Sequence, residues 1–251
     1  MGVSILGVRL DRISSREELE ARCESFLADD RTHSIFTPNP EMLVRASSDP
    51  SFASVLNSGE LLLPDGIGIV LVQTVRGGAR VRRWPGTDSA EIVLDVVART
   101  GGSVLLLGGS AGVAPAAAAR LRRRWPGLRV ETAGEGVPFG SNGLPVSPED
   151  QAQIERRIRE LEPQVVLVGL GVPKQERWIG RHASAFPSVR IMMGIGGAMD
   201  MWAGRLPRAP RLVSSLGLEW LWRLVLQPRR LPRTLTATLV FPWRALTERR
   251  A

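Results

Sequence analysis

Carboxylate, amide and glycine residues are concentrated in six short clusters, most of which directly follow an apolar run of strand length. They are Thr37-Pro38-Asn39-Pro40-Glu41, Pro64-Asp65-Gly66, Arg83-Trp84-Pro85-Gly86-Thr87-Asp88, Gly108-Gly109-Ser110-Ala111-Gly112, residues 169–176 and residues 194–200. One strand-end glycine serves a turn. Six clusters at the rim of one sheet point instead to a nucleotide or diphosphate site, where backbone N–H groups and helix N-termini meet phosphate oxygens.

Asp65 is the candidate general base. The run Glu60-Leu61-Leu62-Leu63-Pro64 would deliver its carboxylate to the sheet rim beside Gly66, a residue that lets a substrate approach closely. The same position suits an N-cap or turn for a helix over residues 67–76, and both readings stand at this level. Gly108 to Gly112 could seat a phosphate, and Glu131 at the end of the next strand imitates the ribose-binding acid of a dinucleotide site. The run Gly-Gly-Ser-Ala-Gly nevertheless lacks the fixed spacing of G-x-G-x-x-G, so an NAD-dependent sugar-modifying enzyme is a rival reading only.

His33 and His182 are the only histidines and have no partners at metal-ligand spacing, and no Asp-x-Asp pair is present to hold a cation on a diphosphate. No metal or cofactor is expected. Arginines and helix dipoles must then balance a diphosphate's charge.

The arginines are unevenly placed. The chain carries 33 Lys+Arg against 25 Asp+Glu, a net +8, and Lys174 is the only lysine. Residues 202–251 hold ten of the arginines but only two acids, Glu219 and Glu248, together with Trp202, Trp220, Trp222 and Trp243. A basic nucleic-acid-binding protein is the second rival. Backbone binders need a charged face along the fold, whereas this surplus is confined to a segment rich in Leu and Trp, so no nucleic-acid partner is expected.

The elements that must position these residues alternate. Strands are expected over residues 3–10, 34–37, 60–63, 103–107, 129–132, 165–169 and 189–194, with helices over 15–28, opened by the capping box Ser15-Arg16-Glu17-Glu18, and over 147–161. Continuous apolar strands such as Val165-Val166-Leu167-Val168 require cover on both faces. The fold class is therefore α/β: a Rossmann-like, mostly parallel sheet with helices on both faces and ligands at its carboxyl edge. Residues 1–203 would form this catalytic domain and residues 204–251 a short basic helical C-terminal appendage. There Arg211, Ser215, Glu219, Arg223 and Gln227 recur at four-residue spacing, one polar stripe on a helix whose other surfaces are Leu, Val and Trp. Such a helix must bury most of its circumference against the α/β domain, a second subunit in a homo-oligomer, or a lipid headgroup layer. Pro228, Pro232 and Pro242 should divide the remainder of the tail into short pieces. Cys23, the single cysteine, is expected to pack inside a helix in a reducing compartment. No run approaches about 18 uninterrupted apolar residues, so no membrane span is expected.

Taken together, the clusters resemble the WecG/TagA/CpsF glycosyltransferases. Thr37-Pro38-Asn39-Pro40-Glu41, Pro64-Asp65-Gly66, Gly171-Val172-Pro173-Lys174-Gln175-Glu176 and Gly217-Leu218-Glu219-Trp220-Leu221-Trp222-Arg223 carry the likeness across nearly the whole chain. The resemblance implies an inverting, metal-independent enzyme, cytoplasmic and peripheral on the inner face of the cell membrane. It would move an N-acetylmannosamine-type sugar from a UDP-sugar donor to a lipid-diphosphate-linked sugar acceptor at an anionic membrane surface. It also implies roles: Asp65 as general base, Thr37 and Asn39 in the substrate pocket, Gln175 and Asp200 at the UDP moiety, with Glu176, Gly108 and Gly109 counted among the substrate-binding residues. Arg83, Gly86 and Asp88 match a further substrate segment, and Arg208, Arg223, Arg229, Arg230 and Arg233 would meet the diphosphate. Two segments depart from the family's pattern: Val137-Pro138 follows Gly136 where relatives carry an aromatic residue, and Arg82-Arg83-Trp84-Pro85-Gly86-Thr87-Asp88 keeps only arginine, glycine and aspartate in place.

Overall fold

The computed structural model describes residues 3–76 and 81–248, with the side chains of Arg211 and Ser215 and the tail arginines Arg249 and Arg250 lying outside the described residues. The described residues form eight strands: β1 (Val3–Ile5), β2 (Val8–Leu10), β3 (His33–Phe36), β4 (Leu61–Leu62), β5 (Ser103–Gly108), β6 (Arg129–Ala133), β7 (Val165–Gly169) and β8 (Ile191–Gly194). The last six form one parallel sheet in the order β4-β3-β8-β7-β5-β6. Side chains alternate between its faces, as strand geometry requires. Val104, Leu106, Val165 and Leu167 pack under the helices Arg16–Ala28, Gly86–Arg99 and Val113–Arg124, while Leu105, Leu107, Val166 and Val168 pack under Pro148–Leu161 and Lys174–His182. Double cover explains why these strands are apolar at every position.

The expected strand over residues 3–10 is instead an antiparallel hairpin outside the main sheet, pairing Val3 with Leu10 and Ile5 with Val8. Leu6 and Gly7 both take positive φ, +51° and +75°, which is the backbone of a tight two-residue hairpin turn. The helix starts agree with their sequence signals. Ser15 accepts from the Glu18 N–H and Ser147 from the Asp150 N–H. Cys23 is fully buried in the first helix, where burial pushes its thiol pKa up to about 12.

Beyond Gly204 two expectations change. The polar stripe does not run along one helix: Arg211–Ser215 and Glu219–Leu226 are separate, divided at Gly217 (φ +75°) by a Schellman turn in which the Leu218 N–H donates to the Val213 carbonyl. Leu216, Val225, Leu239 and Trp243 are exposed, so the α/β domain of the same chain is not what covers them. The prolines do not divide the tail as expected: Pro228–Arg230, Leu231–Leu235, Thr236–Val240 and Phe241–Thr247 abut, with right-handed helical backbone at the junction residues Leu231, Thr236 and Phe241, so the run changes helical pitch without breaking. No helix among the described residues is long and apolar enough to cross a membrane.

Candidate functional site

At the carboxyl ends of β4, β3, β8 and β7 lies a cavity of about 440 Å³, a volume suited to a small-molecule ligand. Its floor is built by main-chain bonds between neighbouring strand ends. The Asp65 N–H donates to the Pro38 carbonyl and the Trp84 N–H to the Pro64 carbonyl, so the loops after β3 and β4 and the segment before Gly86 are tied together. The Asp65 carboxylate then accepts from the Gly86 N–H at 3.3 Å. A Cβ at Gly86 would lie 3.0 Å from Thr37 Oγ1 and 3.7 Å from Asp65 Oδ2, which brings all three residues to one point. The N-cap alternative for Asp65 is set aside: Gly66 caps the helix Ile67–Val75, with no side-chain cap bond.

The tail roofs the cavity. Gly217 can approach because it has no side chain; a Cβ there would meet Ile67 at 2.9 Å and the Arg83 guanidinium at 3.3 Å. Arg83 donates to Glu219 at 2.9 Å, and Ser214 Oγ donates to the other oxygen of the same carboxylate. Arg233 Nε donates to both oxygens of Glu41, at 2.8 and 2.9 Å. Arg223 and Arg230 complete the wall, and burial together with the neighbouring charges of Arg233 and Arg223 pulls the Arg230 guanidinium below its ordinary pKa. Crowded guanidiniums repel one another until an anion enters.

Three carboxylates line this cavity among the described residues: Glu41, Asp65 and Glu219. Glu41 and Glu219 are ion-paired, whereas Asp65 makes no ion pair among the described residues. Burial raises the Asp65 pKa to about 6, although the Gly86 N–H and the charges of Arg83 and Arg223 act in the opposite direction. A carboxylate tuned toward neutrality, with lone pairs to spare, is equipped to accept a proton from a hydroxyl.

The cavity wall thus gathers Thr37, Asn39, Asp65, Arg83, Gly86, Gln175, Arg223, Arg230 and Arg233. Asn39 also has a structural task, its Oδ1 capping the helix Pro40–Ala46 through the Met42 N–H. The remaining sequence candidates lie outside the wall. Asp88 and Arg208 pair with each other, and Arg208 also reaches Glu91. Gly108 and Gly109 take positive φ at the end of β5, where a side chain would strike Leu170 or Met199. Asp200 is on the first turn of the helix Ala198–Trp202, Arg229 is exposed on the turn that carries Arg230, and Glu176 is buried behind Gln175. Burial pushes the Glu176 pKa up to about 7. Glu131 is bridged by Arg122 and Arg157 rather than held free for a ribose. Sequence reasoning did not single out Glu41, Glu219 or Trp220 as site residues, although all three sit inside motifs that carry the family likeness.

Comparison with known proteins gives one family. The Glycosyl transferase WecG/TagA/CpsF family matches residues 3–251. The N-acetylglucosaminyldiphosphoundecaprenol N-acetyl-beta-D-mannosaminyltransferases of Staphylococcus aureus strains NCTC 8325 / PS 47, COL and N315 are each 30% identical to the chain over 233 residues. Those residues cover 92% of this chain and 87% of each relative.

Proposed function

Because this chain belongs to the WecG/TagA/CpsF family of glycosyl transferases, we propose that it moves an N-acetylmannosamine-type sugar from a UDP-sugar to an undecaprenyl-diphosphate-linked sugar during synthesis of a cell-surface polymer. The observation that carries the reading is Asp65, the one cavity carboxylate without an ion pair among the described residues, in a cavity roofed by arginines supplied by the tail.

The chemistry is a single displacement. Asp65 takes the proton of the acceptor hydroxyl as that oxygen bonds to the anomeric carbon of the donor. The bond from that carbon to the diphosphate breaks on the opposite side, and the configuration inverts. Negative charge then grows on the departing UDP, in a cavity whose wall already carries Arg223, Arg230 and Arg233. Thr37, beside Asp65 and Gly86, is placed to orient the reacting hydroxyl. Arginines supply the countercharge, so turnover should persist in EDTA.

Residues 204–251 act as an appendage to a catalytic unit of residues 1–203 and rest on the inner face of the cell membrane. The exposed Leu216, Val225, Leu239 and Trp243, interspersed with arginines, suit the boundary between headgroups and acyl chains of an anionic bilayer. That location brings the cavity to a lipid-linked acceptor.

The test is UDP release by the purified protein over several UDP-sugars, in EDTA, with and without a short-chain lipid-diphosphate N-acetylglucosamine. Release that needs the acceptor and is strongest with UDP-N-acetylmannosamine is expected. Absence of acceptor-dependent release with every donor would reject the reading.

A further inference from the structure

Gln175 and Glu176 share the first turn of the helix Lys174–His182 but do different work. Gln175 Oε1 accepts from the Gly196 N–H at 3.0 Å, and Gln175 Nε2 donates to Glu176 Oε1 at 2.8 Å. A reversed amide would set NH2 against the Gly196 N–H, repulsive in either protonation state of Glu176, and a carbonyl against the carboxylate when Glu176 is ionised. The orientation is therefore fixed, and one N–H of Nε2 stays uncommitted on a side chain that lines the cavity.

Glu176 is 1% exposed, and its Oε2 has no hydrogen-bond partner among the described residues. A buried carboxyl left half-satisfied is a poor stabiliser of a fold. Gly194, at the end of β8, supplies the space: a Cβ there would lie 2.7 Å from Gln175 Nε2 and 3.1 Å from Cδ. We propose that Glu176 and Gly194 are positioning residues that hold the Gln175 amide with an N–H turned into the cavity, making Gln175 an obligate donor to a ligand oxygen. The effect on turnover rests on the cavity being the transfer site; the effect on the amide does not.

The rival is that Glu176 merely favours the helix N-terminus by its charge. Two readouts separate these, amide hydrogen exchange at Gly196 and kcat/KM with UDP-N-acetylmannosamine and the short-chain acceptor. Glu176→Leu and Gly194→Ala should each speed Gly196 exchange and lower kcat/KM about tenfold, the effect of one lost buried hydrogen bond. Glu176→Gln, whose Oε1 can still accept from Gln175, should recover most of that loss. In a Gln175→Ala background the Glu176→Leu effect on kcat/KM should shrink to within about twofold, since coupled residues are not additive. Unchanged Gly196 exchange in Glu176→Leu would overturn the proposal whatever the activity, and equal losses with and without Gln175 would overturn its link to turnover. A parent enzyme that releases no UDP would count against the transferase reading alone, because the exchange arm still reports on the amide.

Discussion

In β5 and β7 every residue of Val104-Leu105-Leu106-Leu107 and Val165-Val166-Leu167-Val168 is no more than 1% exposed, whereas Val225, Leu239 and Trp243 of the tail are 64–72% exposed. Both regions are rich in apolar side chains. The strands lie in βαβ units whose crossover helices return to cover each face. Among the described residues nothing returns to cover the tail in this way; it uses a few residues, chiefly Phe241 and Ala245, to grip the sheet-bearing part and turns others outward. Where the chain covers its own apolar surface, composition reports stability. Where it does not, the same composition reports a surface meant for something else.

That contrast can be broken most severely by removing the tail. A chain ending at Gly204 should lose turnover to background and lose co-sedimentation with anionic liposomes, while circular dichroism still shows a cooperatively melting α/β unit. Full activity in the shortened protein would place the whole site in the sheet. Asp65→Asn is the next largest effect, a fall of about 10² to 10⁴-fold in kcat with the fold intact. Its pH dependence has a definite sign. With the folded pKa at about 6, kcat/KM of the parent should fall as pH drops below that value. Ionised Asp65 is disfavoured in the folded state, so parent stability falls as pH rises from the ordinary carboxylate range through 6. Asp65→Asn should therefore melt higher than the parent above pH 6, and the gap should close toward pH 4.

Two aromatic residues inside the tail sharpen the comparison further. Phe241 is fully buried and touches the space above Gly68, so Phe241→Ala should destabilise the docked tail by about 3–5 kcal/mol, read as a separate, earlier melting step. Trp243, two residues on, is 72% exposed. Trp243→Glu should change stability by no more than about 0.5 kcal/mol yet weaken liposome binding about tenfold. Equal effects at the two positions would erase the distinction between gripping and outward faces.

Much of the molecule is legible in its sequence because local signals coincide. Uninterrupted apolar runs mark the sheet, Ser15 and Ser147 mark helix starts, and Pro64-Asp65-Gly66 places a carboxylate at a strand end. The failures also have physical causes. Residues 3–10 read as one strand because a hairpin turn built on Leu6-Gly7 leaves only a single glycine as its trace. The stripe from Arg211 to Gln227 reads as one helix because spacing is blind to the left-handed backbone of Gly217. The pair of Asp88 with Arg208, both expected to contact a ligand, joins positions far apart in the chain that no local pattern connects.

Residue order alone determined most of the element types, the double-covered sheet and the supply of polar groups at its rim, since each depends on side-chain periodicity within a few residues. Only the tertiary structure decided which groups are spent and which remain available. Glu41 and Glu219 are neutralised by arginines 192 and 136 positions away, Glu176 is turned inward onto Gln175, and Asp65 is the one cavity carboxylate without an ion pair among the described residues. Ion pairing and burial act through space, and distance in space is fixed by packing rather than by position in the chain.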